Sequence, residues 1–232
     1  MYPKTSMKQR VLLKGGDAID LLHRISTANV NGLGRDEKTP ALFLNPQGKI
    51  LCLFQITKQE NDALEIEFDE NFLETLDRYT FAERYEIVPL PPSPESEPNE
   101  ADRIRDLTPK LGHEFKNDGQ TNPLEVNLRS AIHDQKGCYP GQEVIEKIIA
   151  IGSPARKLCL FQGAENTASF SEALPTPLLD PATGAEVGVL TSFADDGVHR
   201  GIALGIVKRT HLKEGLSLQT PGKTVFTLER IS

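Results

Sequence analysis

The sequence contains no apolar run near the ~18 residues that a membrane-spanning helix requires, so no membrane association is expected. Its opening stretch, "MYPKTSMKQRVLLKGGD", lacks the apolar centre of a secretory signal. Cysteine is scarce: Cys52, Cys138 and Cys159 are the only 3, with no CxxC pair and no disulfide framework. Such usage suits a reducing compartment, and a cytoplasmic location is expected. Cysteines so widely spaced make a poor zinc or iron–sulfur site within one chain, and the 5 histidines are scattered, so no resident metal is expected. The "GGD" at 15–17 lacks the remaining glycines and the Lys-Ser/Thr end of a phosphate loop. Positive charge is in deficit, with 26 Lys+Arg against 33 Asp+Glu and a net charge of −7. The chain as a whole is therefore no electrostatic match for nucleic acid, and no direct nucleic-acid partner is expected.

What is present is ordinary globular material: 232 residues, 38% hydrophobic and 25% charged, enough to bury a real core. "GGDAIDLLHRIST" has Ile19, Leu22 and Ile25 at helical spacing behind Asp17, a candidate cap. "PALFLNPQGKILCLFQITKQENDALEIEF" reads as strands broken by turns at Asn45–Gly48 and Asn61–Asp62. "NFLETLDRYTF" reads as an amphipathic helix and "RYEIVPL" as a strand, which suggests helices layered on an antiparallel sheet. The proline-rich "PLPPSPESEPNE" at 89–100 reads as a loop or linker. Helices are expected in "ADRIRDLTPKLGHEF", ending near Pro109, and in "NPLEVNLRSAI", with Asn122 as cap. From Lys157 onward, "KLCLFQG", "EVGVLTSFA", "GIALGIVKR" and "KTVFTLERI" are short β-rich runs, the pattern of a small barrel or sandwich. The expectation is an α+β chain with a first region at 1–154 and a C-terminal β-barrel at 155–232.

The segment "KGCYPGQE" at 136–143 places Cys138 in a tight polar turn, unlike Cys52 and Cys159, which lie in apolar strands. A thiolate is the reactive form of cysteine, and it is favoured by nearby positive charge or a helix N-terminus. Lys136 lies two residues before Cys138, and "GQEVIEKII" after Pro140 reads as the start of a helix. Gly137 and Gly141 free the backbone for a close approach, Gln142 and Glu143 add polar groups, and Lys147 lies one helical turn beyond Glu143. Spacing alone leaves two readings open: an accessible, poised thiol, or a turn with a cysteine packed beneath it.

"KGCYPGQEVIEK" closely resembles the signature of the YgfZ family, Lys-Gly-Cys-aromatic-x-Gly-Gln-Glu-x-x-x-basic, at every specified position. "GGDAIDLLHRIST" resembles the family's N-terminal helix, and "LNPQGKILCLFQI" its Gly-Lys/Arg hairpin. "RIRDLTPKLGHEF" and "PLEVNL" occupy the slots leading to the signature, and "EVGVLTSFADDGVHRGIALGIVKR" is similar to the C-terminal barrel segment. Leu107 stands where the family pattern has glycine. The resemblance implies T-protein-like folate-binding α/β modules followed by a small β-barrel. It also implies tetrahydrofolate as ligand, with Glu125 and Asn127 as contacts, and iron–sulfur client or assembly proteins as partners. Cys138 matches the family's functional cysteine, with Tyr139 at the aromatic position of the signature. The function implied is support of iron–sulfur assembly or repair in client enzymes, including tRNA-modifying ones. The alternatives are a folate-dependent aminomethyltransferase of T-protein type and a divergent paralogue without folate.

Overall fold

In the computed structural model, which describes residues 7–94, 98–164, 167, 170–195 and 200–232, two units interleave along the chain. One takes Met1–Glu97, Asn117–Asn122 and Arg129–Lys147; the other takes Pro98–Lys116, Pro123–Leu128 and Ile148–Ser232. The chain therefore changes unit several times before residue 154.

The first unit contains β1 (Met7–Lys14), α1 (Ala18–Ile25), β2 (Lys38–Leu44), β3 (Ile50–Lys58), β4 (Leu64–Phe68), α2 (Phe72–Tyr79) and β5 (Glu86–Pro94). The strands form an antiparallel sheet in the order β2-β3-β4-β1-β5. Strict alternation writes its faces. In β3, Ile50, Cys52, Phe54 and Ile56 are buried between half-buried neighbours, and Leu64, Ile66 and Phe68 repeat the pattern in β4. Leu21, Leu22 and Ile25 of α1 and Phe72 and Leu76 of α2 join the same core. Phe43, Phe54, Phe68 and Phe72 meet there at ring-centroid distances from 4.5 to 5.3 Å. Burying each such ring contributes about 1.5–3 kcal/mol, so Phe72 makes this cluster an anchor of α2 on the sheet. Partly exposed side chains on β1 pair with carboxylates on and just after β4, Lys8 with Asp69 and Arg10 with Glu65, at 2.5 Å each.

One strand is new and two local readings change. β1 lies in a stretch with no clear periodicity and is set by its two neighbours, β4 and β5. The proline-rich stretch is no loop as far as Pro94: it is β5, an edge strand that among the described residues pairs only with β1. Proline is tolerated at an edge because the missing N–H removes no ladder bond on the open side. The remainder, at 95–97, lies outside the described residues. Asp17 does not cap α1 with its side chain; its carboxylate accepts from Arg84 N–H at 2.7 Å.

The second unit is a closed barrel of β6 (Arg156–Gly163), β7 (Thr176–Leu179), β8 (Glu186–Asp195), β9 (Gly201–Lys208), β10 (Ser217–Gln219) and β11 (Val225–Ile231). Their order is β10-β11-β6-β9-β8-β7. Closure leaves no open edge. Phe161, Leu190, Val207, Phe226 and Leu228 fill one cluster, while Leu158, Leu160, Ile202 and Leu204 pack with Ile104 and Leu107 in another. The second cluster docks α3 (Glu100–Arg105), which ends before Pro109 as expected. "NPLEVNLRSAI" forms no continuous helix. It makes two 3-10 turns, Pro123–Glu125 and Arg129–Ala131, interrupted by Asn127 at φ 61°. α4 (Gln142–Ile151) follows the cysteine turn.

Candidate functional site

The cysteine turn belongs to the first unit and is fastened on both sides of the thiol. Before it, buried Thr27 is a hub. Its hydroxyl donates to Ala131 O at 2.5 Å and accepts from Leu42 N–H at 2.8 Å, while its carbonyl accepts from His133 N–H at 3.0 Å. After it, Gly141 takes a left-handed φ of 82° against the β2–β3 turn, where an added Cβ would lie 2.5 Å from Asn45 O and 2.9 Å from Gly48 Cα. Only glycine fits that approach. Gly137 is different: a Cβ there meets nothing within 4 Å. Ile145 of α4 is buried and Val144 packs on Gly48, so the helix is seated on the same hairpin.

Between these anchors Cys138 is exposed, whereas Cys52 and Cys159 are buried. Burial raises the Cys52 thiol far above its ordinary range and pushes Cys159 up to about 12, which makes both poor nucleophiles.

The Lys136 ammonium is bound inward, on backbone. It donates to the backbone carbonyls of His23 and Ser26, at the C-terminal end of α1, and stands 5.0 Å from the Tyr139 ring centroid. A cation there complements the helix dipole and the last carbonyls. Lys136 is only 8% exposed, and burial lowers it to about 8, with Cys138 pulling weakly the other way. Burial likewise raises Tyr139 to about 12. The first amide of α4, Gln142 N–H, is spent on Tyr139 O at 3.2 Å. The Gln142 side chain donates to Glu146 at 2.5 Å, and Glu143 and Lys147 are exposed. The signature thus divides into Lys136, Tyr139 and Gly141, which hold the turn, and Gly137 and Cys138, which are presented.

Glu125 and Asn127 belong to the second unit. The Glu125 carboxylate is 8% exposed, and its ion pair with Arg156 Nε is long, at 3.6 Å. Asn127 is exposed and donates to Leu107 O at 2.9 Å. Leu107 itself adopts φ 52°, a left-handed conformation that is uncommon for a residue with a side chain.

Sequence reasoning missed a buried polar network in the second unit. Glu114 is fully buried; it accepts from Arg103 at 3.0 Å, Lys110 N–H at 2.9 Å, Thr191 at 2.7 Å and Ser192 at 2.6 Å. His113 Nδ1 lies 3.3 Å from Ser192 Oγ. The trio is not a serine relay, because the carboxylate binds the serine rather than orienting the histidine, and Ser192 is buried. No local motif could announce it, since Glu114 and Ser192 are 78 residues apart. Among the described residues no group of three His, Cys, Asp or Glu side chains is placed to hold a metal ion, and no helix is long and apolar enough to cross a membrane.

The combination of a five-stranded antiparallel sheet and a closed six-stranded barrel matches a known structure. The chain superposes on the crystal structure of the glycine cleavage system aminomethyltransferase T from Bartonella henselae with a TM-score of 0.80. The match covers 96% of this chain and 83% of that one, at 13% sequence identity. The fold is T-protein-like. No family model and no curated protein matches the chain. At such identity the T-protein-like match carries architecture alone; the chemistry must come from this chain's own residues.

Proposed function

We propose that the chain is a YgfZ-like accessory protein that binds a reduced folate. In this reading Cys138 supports assembly or repair of iron–sulfur clusters in client enzymes, tRNA-modifying ones included. The observation that carries this is the presentation of Cys138: it alone of the three cysteines is exposed, at the tip of a turn pinned on both sides. A thiolate there attacks one sulfur of a mixed disulfide on a client and releases the other as a thiolate, or lends a ligand to a cluster in transit, which is cargo rather than a resident group.

Tetrahydrofolate is the proposed cofactor, and when bound it supplies a one-carbon carrier. Glu125 fits it: a nearly buried carboxylate with one long ion pair keeps acceptor capacity for the N–H edge of a pterin ring. Asn127 serves the turn through Leu107, and its part in binding folate is secondary. The T-protein-like fold favours a second reading, folate-dependent aminomethyl transfer, with architecture as its only support.

The test is anaerobic calorimetry with tetrahydrofolate on wild type and Cys138→Ala, paired with an iron–sulfur enzyme maturation assay in cells. Both proteins are expected to bind folate in the micromolar range, and only Cys138→Ala is expected to lose maturation. Full maturation by Cys138→Ala removes the thiol from the account. Absence of binding by either protein points to a paralogue without folate, and turnover with an aminomethyl donor to the transferase.

A further inference from the structure

Lys136 has a geometry that a thiol-activating lysine would not need. Its ammonium is turned inward, onto His23 O and Ser26 O, and the Tyr139 ring packs beside it. These carbonyls belong to the end of α1, 110 residues away in sequence from Lys136 in the case of Ser26. The two residues after Lys136 are exposed, and the next fixed point is buried Tyr139. Gly137, immediately before Cys138, is exposed, and a Cβ added there would meet nothing within 4 Å. Lys136 therefore ties the segment just before the thiol to the end of α1, and the buried Tyr139 ring beside it fixes the residue just after the thiol.

We propose that Lys136 is a positioning residue for Cys138, which clamps the thiol-bearing turn to the C-terminus of α1 rather than pairing with the thiolate. Burial works against the ammonium, so the lysine is kept in place at some cost to stability, as expected of a group retained for geometry. The titratable groups near it are His23 on α1 and Cys138 on its own segment; His23 is in turn influenced by Asp20 and His133, and Tyr139 by Glu146 and Arg129. The inference rests on Cys138 being the working thiol, but its test does not use iron–sulfur chemistry, so the two can fail separately.

The exposure of Cys138 alone allows a nitroxide to be attached selectively to the native, full-length chain. Electron paramagnetic resonance spectra would be compared for wild type, Lys136→Arg, Lys136→Gln and Lys136→Met, with melting temperatures by circular dichroism. Arginine reaches the same carbonyls with a permanent charge, glutamine keeps a donor without charge, and methionine keeps only the stem. The expected result is a restricted line shape in wild type and Lys136→Arg. The nitroxide correlation time should shorten by about twofold or more in Lys136→Met, with Lys136→Gln between, as a loop gains nanosecond freedom. Melting temperatures, taken at the same pH, establish that each variant is folded when its spectrum is recorded. Rescue by arginine separates a clamp from a general packing role. Wild-type line shapes in all the variants that fold, with Lys136→Gln standing in if Lys136→Met does not, would overturn the proposal, as would a mobile nitroxide in wild type itself.

Discussion

At the scale of single residues, the two glycines of "KGCYPGQE" have different reasons to be there. Gly141 combines a φ of 82° with a would-be Cβ 2.5 Å from Asn45 O, so alanine there forces the β2–β3 turn and the start of α4 apart. Gly141→Ala is expected to destabilise by about 2–4 kcal/mol, the sum of left-handed strain and displaced backbone. Gly137→Ala is expected to stay within about 0.5 kcal/mol of wild type, because nothing surrounds it. Paired urea denaturation curves check both; equal losses would mean that the motif's glycines serve one purpose. Leu107 is a third backbone case. It holds a left-handed φ of 52° that costs about 1–2 kcal/mol for a non-glycine residue, and it offsets this by burying its side chain in the cluster with Ile104 and Leu158.

At the scale of elements, the feature with most energy at stake is the attachment of α3 and its following strap to β8. Arg103 and Glu114 are a buried ion pair whose oxygens also take Thr191 and Ser192 of β8. Removing one partner of such a pair leaves the other charge buried. Glu114→Gln is therefore expected to cost about 3–5 kcal/mol in denaturant unfolding. Replacing Glu100, whose carboxylate is 39% exposed, should cost far less, about 0–1 kcal/mol. If the two variants lose equally, the network is a surface arrangement and not the pin of the strap. The edge strand β5 shows a different logic: its prolines close the open side of the sheet to further pairing, which protects an exposed edge.

At the scale of the whole molecule, Lys136 predicts a pH dependence of stability. Its folded value of about 8 is below its ordinary 10.5, so between those values the unfolded chain binds the extra proton. Stability from this group is then present above 10.5, falls as pH drops toward 8, and is lost below it. Lys136→Met should remove this rise. The difference in unfolding free energy between variant and wild type is expected to be most favourable to the variant near pH 7 and to shrink by pH 10. Parallel slopes for both proteins across that range would assign the pH dependence to other groups.

The sequence by itself determined whatever depends on near neighbours along the chain. Alternation in "ILCLFQITK" wrote β3, the apolar stripe of "AIDLLHRI" wrote α1, and glycine with proline before "QEVIEKII" wrote the start of α4. The signature likewise singled out Cys138 among the three cysteines, but left open whether its thiol is exposed or packed, and tertiary structure exposes it. Tertiary structure decided what depends on distant partners. The inward turn of Lys136 needs carbonyls 110 and 113 residues away, and the buried cluster at Glu114 needs β8. Proline-rich β5 is a strand because β1 lies beside it, and "NPLEVNLRSAI" breaks at Asn127 although its composition permits a helix. Local propensity is worth a few tenths of a kcal/mol per residue, whereas burial and buried hydrogen bonds are worth about 1–3 kcal/mol each, so where the two disagree the distant partners prevail.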